Sequence, residues 1–437
     1  MSATDSPVAK QGPLLKGKPS RKAAAVAIAV HAEVTRGGEP LRLALSKALE
    51  GAEKLGGNER RFVGFAAREL SRHHRWLDAA MVQVGAPASS FSHKEDAAIV
   101  RYALWRRLRT GATSPVVMAE VRTPGPTRPR SISDASVERI LAAPLTVVDG
   151  PRQSVDELAR IHSYPKWLAE RLCAQWPVEE WDRVLAAFNA EPRLAFRVRS
   201  GIDVDALVQG LNGQGVPVER LGHDGALLTA DDGRSIFETK EFKKRSLQVM
   251  DVGSQSLAAL CQVRPGHTVI DYCAGAGGKT LALAEAVGLK GRVFAHDTSV
   301  RRLRDGRTRV AEWGLRNVAY GEPLPFESAD VVLVDAPCSG SGGLMKEPDL
   351  KWTLTAAQVE RFAQMQFELL CEVAPQVRVG AVVVYGTCSV FAEENEAVVK
   401  RFLAHMKGFA QDGPLLRVWP HREPSGGFFG ARLTRVG

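Results

Sequence analysis

Two of the six cysteines stand where a thiol can react. Cys338 ends the run Asp335-Ala-Pro-Cys338 and Cys388 ends Gly386-Thr-Cys388, and each follows a short β-branched run, 331–334 and 382–385. Both turns are rich in Gly, Ser and Pro, and neither cysteine keeps the spacing that would point it to a helix core. With Asp335 beside them, such thiols suit covalent catalysis. One thiolate adds to an electron-poor carbon, a carboxyl group manages the proton on the attacked ring, and a second thiol assists elimination as acid or base. The other cysteines read differently. Free cysteine is among the most buried residue types, so Cys173, Cys261 and Cys371 read as core, while Cys273 lies in a glycine loop. With no Cys-x-x-Cys pair and no histidine at ligand spacing, neither a metal site nor a disulfide framework is expected.

That loop is Asp271-Tyr-Cys-Ala-Gly-Ala-Gly-Gly-Lys279-Thr280, between an expected strand at 268–271 and a helix from 281. Gly275, Gly277 and Gly278 remove Cβ atoms where backbone must pass close to a ligand. The spacing is not that of a phosphate-binding G-x-x-x-x-G-K loop. Asp297 ends the next strand about twenty residues further on, where a carboxylate accepts hydrogen bonds from ribose hydroxyls. NAD and S-adenosylmethionine both suit such a crevice, and the thiols decide between them, because a dehydrogenase has no use for them. Carbon 5 of cytosine is too weakly nucleophilic to take a methyl group from a sulfonium, but thiolate addition at carbon 6 turns the ring into an enamine that can.

These residues need a framework that brings distant turns together. Expected strands at 268–271, 293–296, 331–334 and 382–385 alternate with helical segments at 281–287, 300–314 and 356–374. Such alternation predicts a doubly wound, mostly parallel sheet with ligands at the carboxyl ends of its strands. Residues 154–242 read as a small α+β unit, with helices at 155–161, 165–176 and 178–189 and strand-like runs at 194–198 and 226–228. Ahead of it, helical periodicity at 23–35, 41–54, 58–84 and 94–108 predicts an all-α bundle. A Pro-rich connection follows around Pro124, Pro126, Pro129, Pro144 and Pro151, and residues 1–20 read as a flexible basic tail.

Composition excludes other classes. A chain of 437 residues, 45% hydrophobic and 24% charged, is globular and long enough for two or three domains. The longest strongly apolar stretch, 23–32, falls short of the roughly 18 residues of a membrane span, and no secretory signal is evident, so a cytoplasmic protein is expected. The net charge of +9 sits wholly in residues 1–110, which hold 19 Lys and Arg against 10 Asp and Glu. Local positive charge of this kind suits a polyanion such as RNA.

With these motifs the sequence resembles the RsmB or Sun-like family of RNA cytosine-5 methyltransferases over essentially its whole length. The matching runs are the Gly-Gly-Lys-Thr loop ending at Thr280, Asp297 with Arg302-Leu303, 335–342 followed by Pro348-Asp349-Leu-Lys351-Trp352, and 385–389 followed by Glu393-Glu-Asn-Glu396. The resemblance implies a Rossmann-like catalytic domain at 246–437, a small α+β RNA-docking extension at 154–245 and an all-α NusB-like RNA-binding bundle at 21–145. It implies S-adenosylmethionine held by Cys273, Ala274, Gly275, Ala276, Gly277, Gly278, Lys279, Asp297, Arg302 and Asp335. Cys388 is then the nucleophile, Cys338 assists release, and Asp335 manages the proton near N3 of cytosine. The implied partner is RNA, foremost small-subunit rRNA, with tRNA methylation or a non-catalytic assembly role as alternatives, and the implied state is a monomer without metal or membrane. The base would have to be flipped or looped out. Three departures stand out: Gly275-Ala276 replaces the family's Ala-Pro, Gly321-Glu322 is the nearest counterpart of an expected Gly-Asp, and Met345-Lys346 replaces Arg-Arg. His73 and His74, beside Arg72 and Arg75, are candidates for phosphate contact.

Overall fold

Side-chain caps such as Ser20, Ser154 and Thr355 start several of the helices, and a computed structural model describes residues 19–52, 54–122, 132–145, 152–221, 226–229 and 234–437. Residues 1–18 of the expected tail, and Pro124, Pro126, Pro129 and Pro151 of the expected connection, lie outside these. The chain divides into two compact units, 1–190 with 344–354, and 191–343 with 355–437.

In the first unit the predicted stripes form one core: Ala23, Ala24 and Ala27 from helix Arg21–Gly37, Val63, Ala66 and Leu70 from Gly57–Arg72, and Tyr102 and Trp105 from Lys94–Thr110. Helices Val155–Ile161, Lys166–Cys173 and Trp181–Ala187 belong to this unit too. Of the region expected as an α+β extension at 154–245, these three helices group with the first unit, while its strands and helix Val204–Gly213 group with the second.

The single helix expected at 58–84 is two, Gly57–Arg72 and His74–Gln83, with His73 leaving helical geometry at φ −107° and ψ 17°. No Gly or Pro marks this break. Tertiary partners take up the backbone groups it frees: Trp352 Nε1 donates to the Ser71 carbonyl at 2.6 Å and Lys351 Nζ to that of Arg72 at 3.2 Å. On the other side, Ser163 Oγ accepts from the N–H groups of Arg75 at 2.9 Å and Trp76 at 3.3 Å.

Part of the basic excess is absorbed by the fold. Arg101 pairs with Asp78 at 2.7 Å, Arg106 with buried Glu120 at 2.6 Å, and Arg72 with buried Glu69. His73 and His74, candidates for phosphate contact, are instead largely buried, with side chains 15% and 17% exposed. Burial drives His73 down to about 3, with Glu69 opposing and Arg109, Arg72 and Lys351 reinforcing. It takes His74 to about 4, with Arg101 reinforcing and Asp78 opposing, and His31 well below its ordinary value, with His74 and Arg101 adding to the effect. All three are uncharged at neutral pH. The unfolded chain, titrating near 6.5, binds their protons more readily, so their contribution is intact above about pH 6.5 and is lost as pH falls toward 4, at about 1.4 kcal/mol per unit for each histidine. Hydrogen exchange in Gly57–Arg72 and His74–Gln83 is expected to show lower opening free energies at pH 5 than at pH 7.5. Equal values, after correction for intrinsic exchange, would refute this reading.

The second unit contains two sheets. Strands β1 (Ala195–Val198), β2 (Val218–Leu221), β3 (Ala226–Thr229) and β4 (Leu247–Val249) form an antiparallel sheet in the order β2-β3-β1-β4, with helix Val204–Gly213 alongside β2. The larger sheet is built from β5 (Thr268–Asp271), β6 (Arg292–Ala295), β7 (Val318–Tyr320), β8 (Val331–Asp335), β9 (Val382–Thr387), β10 (Phe409–Gln411), β11 (Leu416–Val418) and β12 (Phe428–Arg435). Its order is β10-β12-β9-β8-β5-β6-β7, with β11 also on β12. Strands β5 to β9 pair in parallel, and β12 runs antiparallel to β9. Val331 to Val334 are buried throughout, as a central parallel strand covered on both faces requires. This is the expected doubly wound sheet, closed on one side by antiparallel strands.

Candidate active site

The strand order places the reactive turns side by side. The chain leaves β5 toward β6 on one side, while β8 pairs on the other, so the carboxyl ends of β5 and β8 flank a topological switch point. Register aligns Asp271 with Leu333, and Asp335 with Gly386. The glycine loop, the Pro-Cys turn and the Thr-Cys turn therefore emerge from three adjacent strands.

Gly277 adopts φ +78°, and a Cβ on it would lie 3.2 Å from Gly306 Cα in helix Val300–Glu312. Only glycine fits both demands. Gly275 N–H donates to Asp297 Oδ2 at 2.9 Å, while Asp297 Oδ1 accepts from Ser299 N–H at 2.7 Å and lies 3.1 Å from Arg302. The Asp297–Arg302 pair thus holds the loop, and Asp297 sits two residues beyond β6 rather than at its end. From the small sheet, Gln248 Nε2 donates to the Gly278 carbonyl at 2.8 Å. Below the loop, buried Asp271 accepts from Thr280 Oγ1 at 2.7 Å through Oδ2, but its Oδ1 has no partner among the described residues. Burial raises this carboxyl to about 6 against the Thr280 bond. An unpartnered buried carboxylate oxygen beside a glycine loop fits a ligand that brings an ammonium group. Glu322 is 73% exposed and lies 3.4 Å from His296, whose ring stacks on Tyr272.

The Sγ atoms of Cys338 and Cys388 lie 3.3 Å apart. Lys279 Nζ donates to Asp335 Oδ2 at 2.6 Å. Burial alone would depress Lys279, but the Asp335 carboxylate more than offsets it and raises the ammonium above its usual range. The two thiols are pushed apart. A hydrogen bond from Cys338 lowers Cys388 against the effect of burial, and Lys279 adds to the lowering. Cys338, as the donor and further disfavoured by burial, stays well above the ordinary thiol range. Burial pushes Cys273 up to about 12, leaving it an unreactive thiol in the loop. The arrangement therefore supplies one sulfur inclined to the thiolate, one inclined to the thiol, and a carboxylate whose second oxygen has no partner among the described residues.

Sequence reading passed over the groups that hold these turns. Glu394, fully buried, accepts from Ser339 N–H at 2.8 Å, from the hydroxyls of Ser339 and Ser389 at 2.5 Å each, and from Gln366 Nε2 at 3.0 Å. Asn395 accepts from Thr387 Oγ1 at 2.6 Å and donates to the Ser389 carbonyl at 3.0 Å. The acidic run 393–396 was visible as a motif, yet nothing in its local pattern indicated what it would touch.

Comparison with known proteins gives the lineage. The profile described as 16S rRNA methyltransferase RsmB/F matches residues 258–434, and that of the RsmF/B-like ferredoxin-like domain matches 164–230. The chain is 30% identical over 306 residues to the probable ribosomal RNA small subunit methyltransferase B of Synechocystis, covering 64% of this chain and 68% of that protein. It is 32% identical over 300 residues to ribosomal RNA small subunit methyltransferase B of Pseudomonas putida, covering 63% and 67%. The chain belongs to the RsmB/F methyltransferase family. The fold agrees with that membership: the solved structure of PH0851 superposes with a TM-score of 0.72 at 23% identity, covering 95% of this chain and 98% of that one. The expected fold is borne out, a Rossmann-like sheet of the S-adenosylmethionine-dependent methyltransferase kind with a helical region ahead of it. Among the described residues of this RsmB/F member, no helix is long and apolar enough to cross a membrane, and no cluster of three or more His, Cys, Asp or Glu is arranged to hold a metal.

Proposed function

We propose that this protein methylates carbon 5 of a cytosine in RNA, foremost small-subunit rRNA, using S-adenosylmethionine and a covalent adduct on Cys388. The single observation that carries this reading is the contact of the two thiols, 3.3 Å apart, beside the Lys279–Asp335 pair. The glycine loop, Asp297 and the unpartnered oxygen of Asp271 fit the cofactor's ribose and amino-acid ends, and the bound cofactor supplies the electrophilic methyl group that carbon 5 takes. Cys388 sulfur bonds to carbon 6 of a flipped cytosine, and the electron pair of the carbon 5–carbon 6 double bond becomes available at carbon 5. Asp335, held by Lys279, keeps one oxygen for the N3 side of the ring. After methylation Cys338 gives its proton to the departing Cys388 sulfur as the sulfur–carbon 6 bond breaks, and the Cys338 thiolate so formed takes the proton from carbon 5, which restores the carbon 5–carbon 6 double bond. The helical bundle, with its surplus of Lys and Arg, supports a role in gripping RNA, and the names of the relatives favour small-subunit rRNA.

Labelled S-adenosylmethionine incubated with the full chain and unmodified rRNA or tRNA, followed by mapping of the label, tests the reading. Label at carbon 5 of a cytosine in small-subunit rRNA is expected, whereas label only in tRNA would move the substrate and no label on any RNA would end the proposal. Cys338→Ala is expected to attack but release slowly, so that a protein–RNA adduct accumulates on denaturing gels. No adduct above the parent level would remove Cys338 from release.

A further inference from the structure

Glu394 is an uncommon kind of residue. Its side chain is fully buried and no Lys or Arg pairs with it among the described residues. A carboxylate buried without a countercharge has to be held by hydrogen bonds. Its contacts supply them. Ser339 follows Cys338 and Ser389 follows Cys388, and both hydroxyls converge on the same oxygen, Oε2, while Oε1 takes the N–H of Ser339. Gln366 Nε2 reaches Oε1 at 3.0 Å and the Pro337 carbonyl at 2.9 Å, so the helix Ala356–Val373 joins the same knot. The turns meet again at Gly342, whose N–H donates to the Cys388 carbonyl at 2.9 Å. Four donors meet two oxygens, which a carboxylate accepts and an amide, with one oxygen and an NH₂ that itself donates, cannot.

We propose that Glu394 is a positioning residue that locks the turn carrying Cys338 to the turn carrying Cys388 and so fixes the contact between the two thiols. The lock is a statement about geometry. Its consequence, that release of a methylated product depends on Glu394, rests on the covalent route proposed above.

A reagent that must span both sulfurs reads the lock without RNA. Phenylarsine oxide forms two arsenic–sulfur bonds with a pair of thiols and releases one water, and both cysteines are partly accessible. In the full-length parent it is expected to bridge Cys338 and Cys388, as shown by peptide mass mapping. Glu394→Gln is expected to slow bridging by about tenfold or more, because the second arsenic–sulfur bond depends on how well the thiols are held together. Alkylation of Cys388 alone by iodoacetamide should change by less than about threefold, since it needs no partner. A merely structural defect would instead alter both reactions together and lower the melting temperature. Should Glu394→Gln fail to fold, the Ser339→Ala/Ser389→Ala double variant removes two of the ties and leaves the carboxylate, and the same slowing is expected. Bridging at the parental rate in a folded variant, or no bridging in the parent, overturns the proposal. With RNA, Glu394→Gln should also accumulate adduct as Cys338→Ala does. If the parent forms no adduct with any RNA while bridging still falls in the variant, the covalent reading fails and the lock stands.

Discussion

Replacing Cys388 with alanine is expected to lower methyl transfer by about 10⁴-fold or more, the scale on which covalent enzymes lose rate when their nucleophile is removed. The loss should fall on the chemical step. Cys388 is only partly buried in a turn beyond β9, and the glycine loop, Asp297 and Asp271 lie on other elements, so cofactor affinity should stay within a few-fold of the parent. Labelled methyl transfer under single-turnover conditions, with cofactor affinity measured separately, checks this. Retention of adduct and rate in Cys388→Ala, together with their loss in Cys338→Ala, would exchange the roles of the thiols. The pH dependence carries the same assignment. Because the Cys338 hydrogen bond and Lys279 favour the Cys388 thiolate, the rate should rise with pH through a midpoint below the ordinary thiol value of about 8.5.

The second large effect concerns Lys351, whose side chain is completely buried in the first unit. Its Nζ reaches the carbonyls of Arg72 at 3.2 Å, Ser163 at 3.2 Å and His162 at 3.4 Å and Asn189 Oδ1 at 2.5 Å, and it lies 3.7 Å from the Tyr164 ring centre. Burial and Arg72 pull this amine well below the usual lysine range. Glu69 pulls the other way, and the amine gives its N–H groups to the surrounding oxygens. Lys351→Met keeps the side chain out to the ε-carbon and removes every donor. The carbonyls at the break after Arg72 and in the turn at Ser163 then lose this partner, at a cost of about 3–5 kcal/mol. Amides of helices Gly57–Arg72, His74–Gln83 and Val155–Ile161 should exchange roughly a hundred- to several-thousand-fold faster, while those of β5 and β8 should be unchanged. Unaltered exchange in the three helices would show that Lys351 holds nothing together.

Much of this molecule was legible before any coordinates. Alternating apolar runs and helical stripes specified the parallel sheet because period-two and period-3.6 patterns report which face a segment buries, whatever its partners. The glycine loop was equally legible, since positive φ and close backbone approach at Gly277 exclude other residue types. The chemistry of Cys338, Cys388 and Asp335 was named from their turns and neighbours. What sequence could not supply was anything decided by a partner far along the chain. The helix break at His73 depends on Ser163, Lys351 and Trp352. His73 and His74 were misread because burial, unlike residue type, is a property of the packed unit. The sequence by itself indicated which atoms are candidates to react. Only the tertiary structure decided that the two thiols meet and what holds the pair in contact, because hydrogen bonds and charges act over a few ångströms between residues that lie 50 or more positions apart.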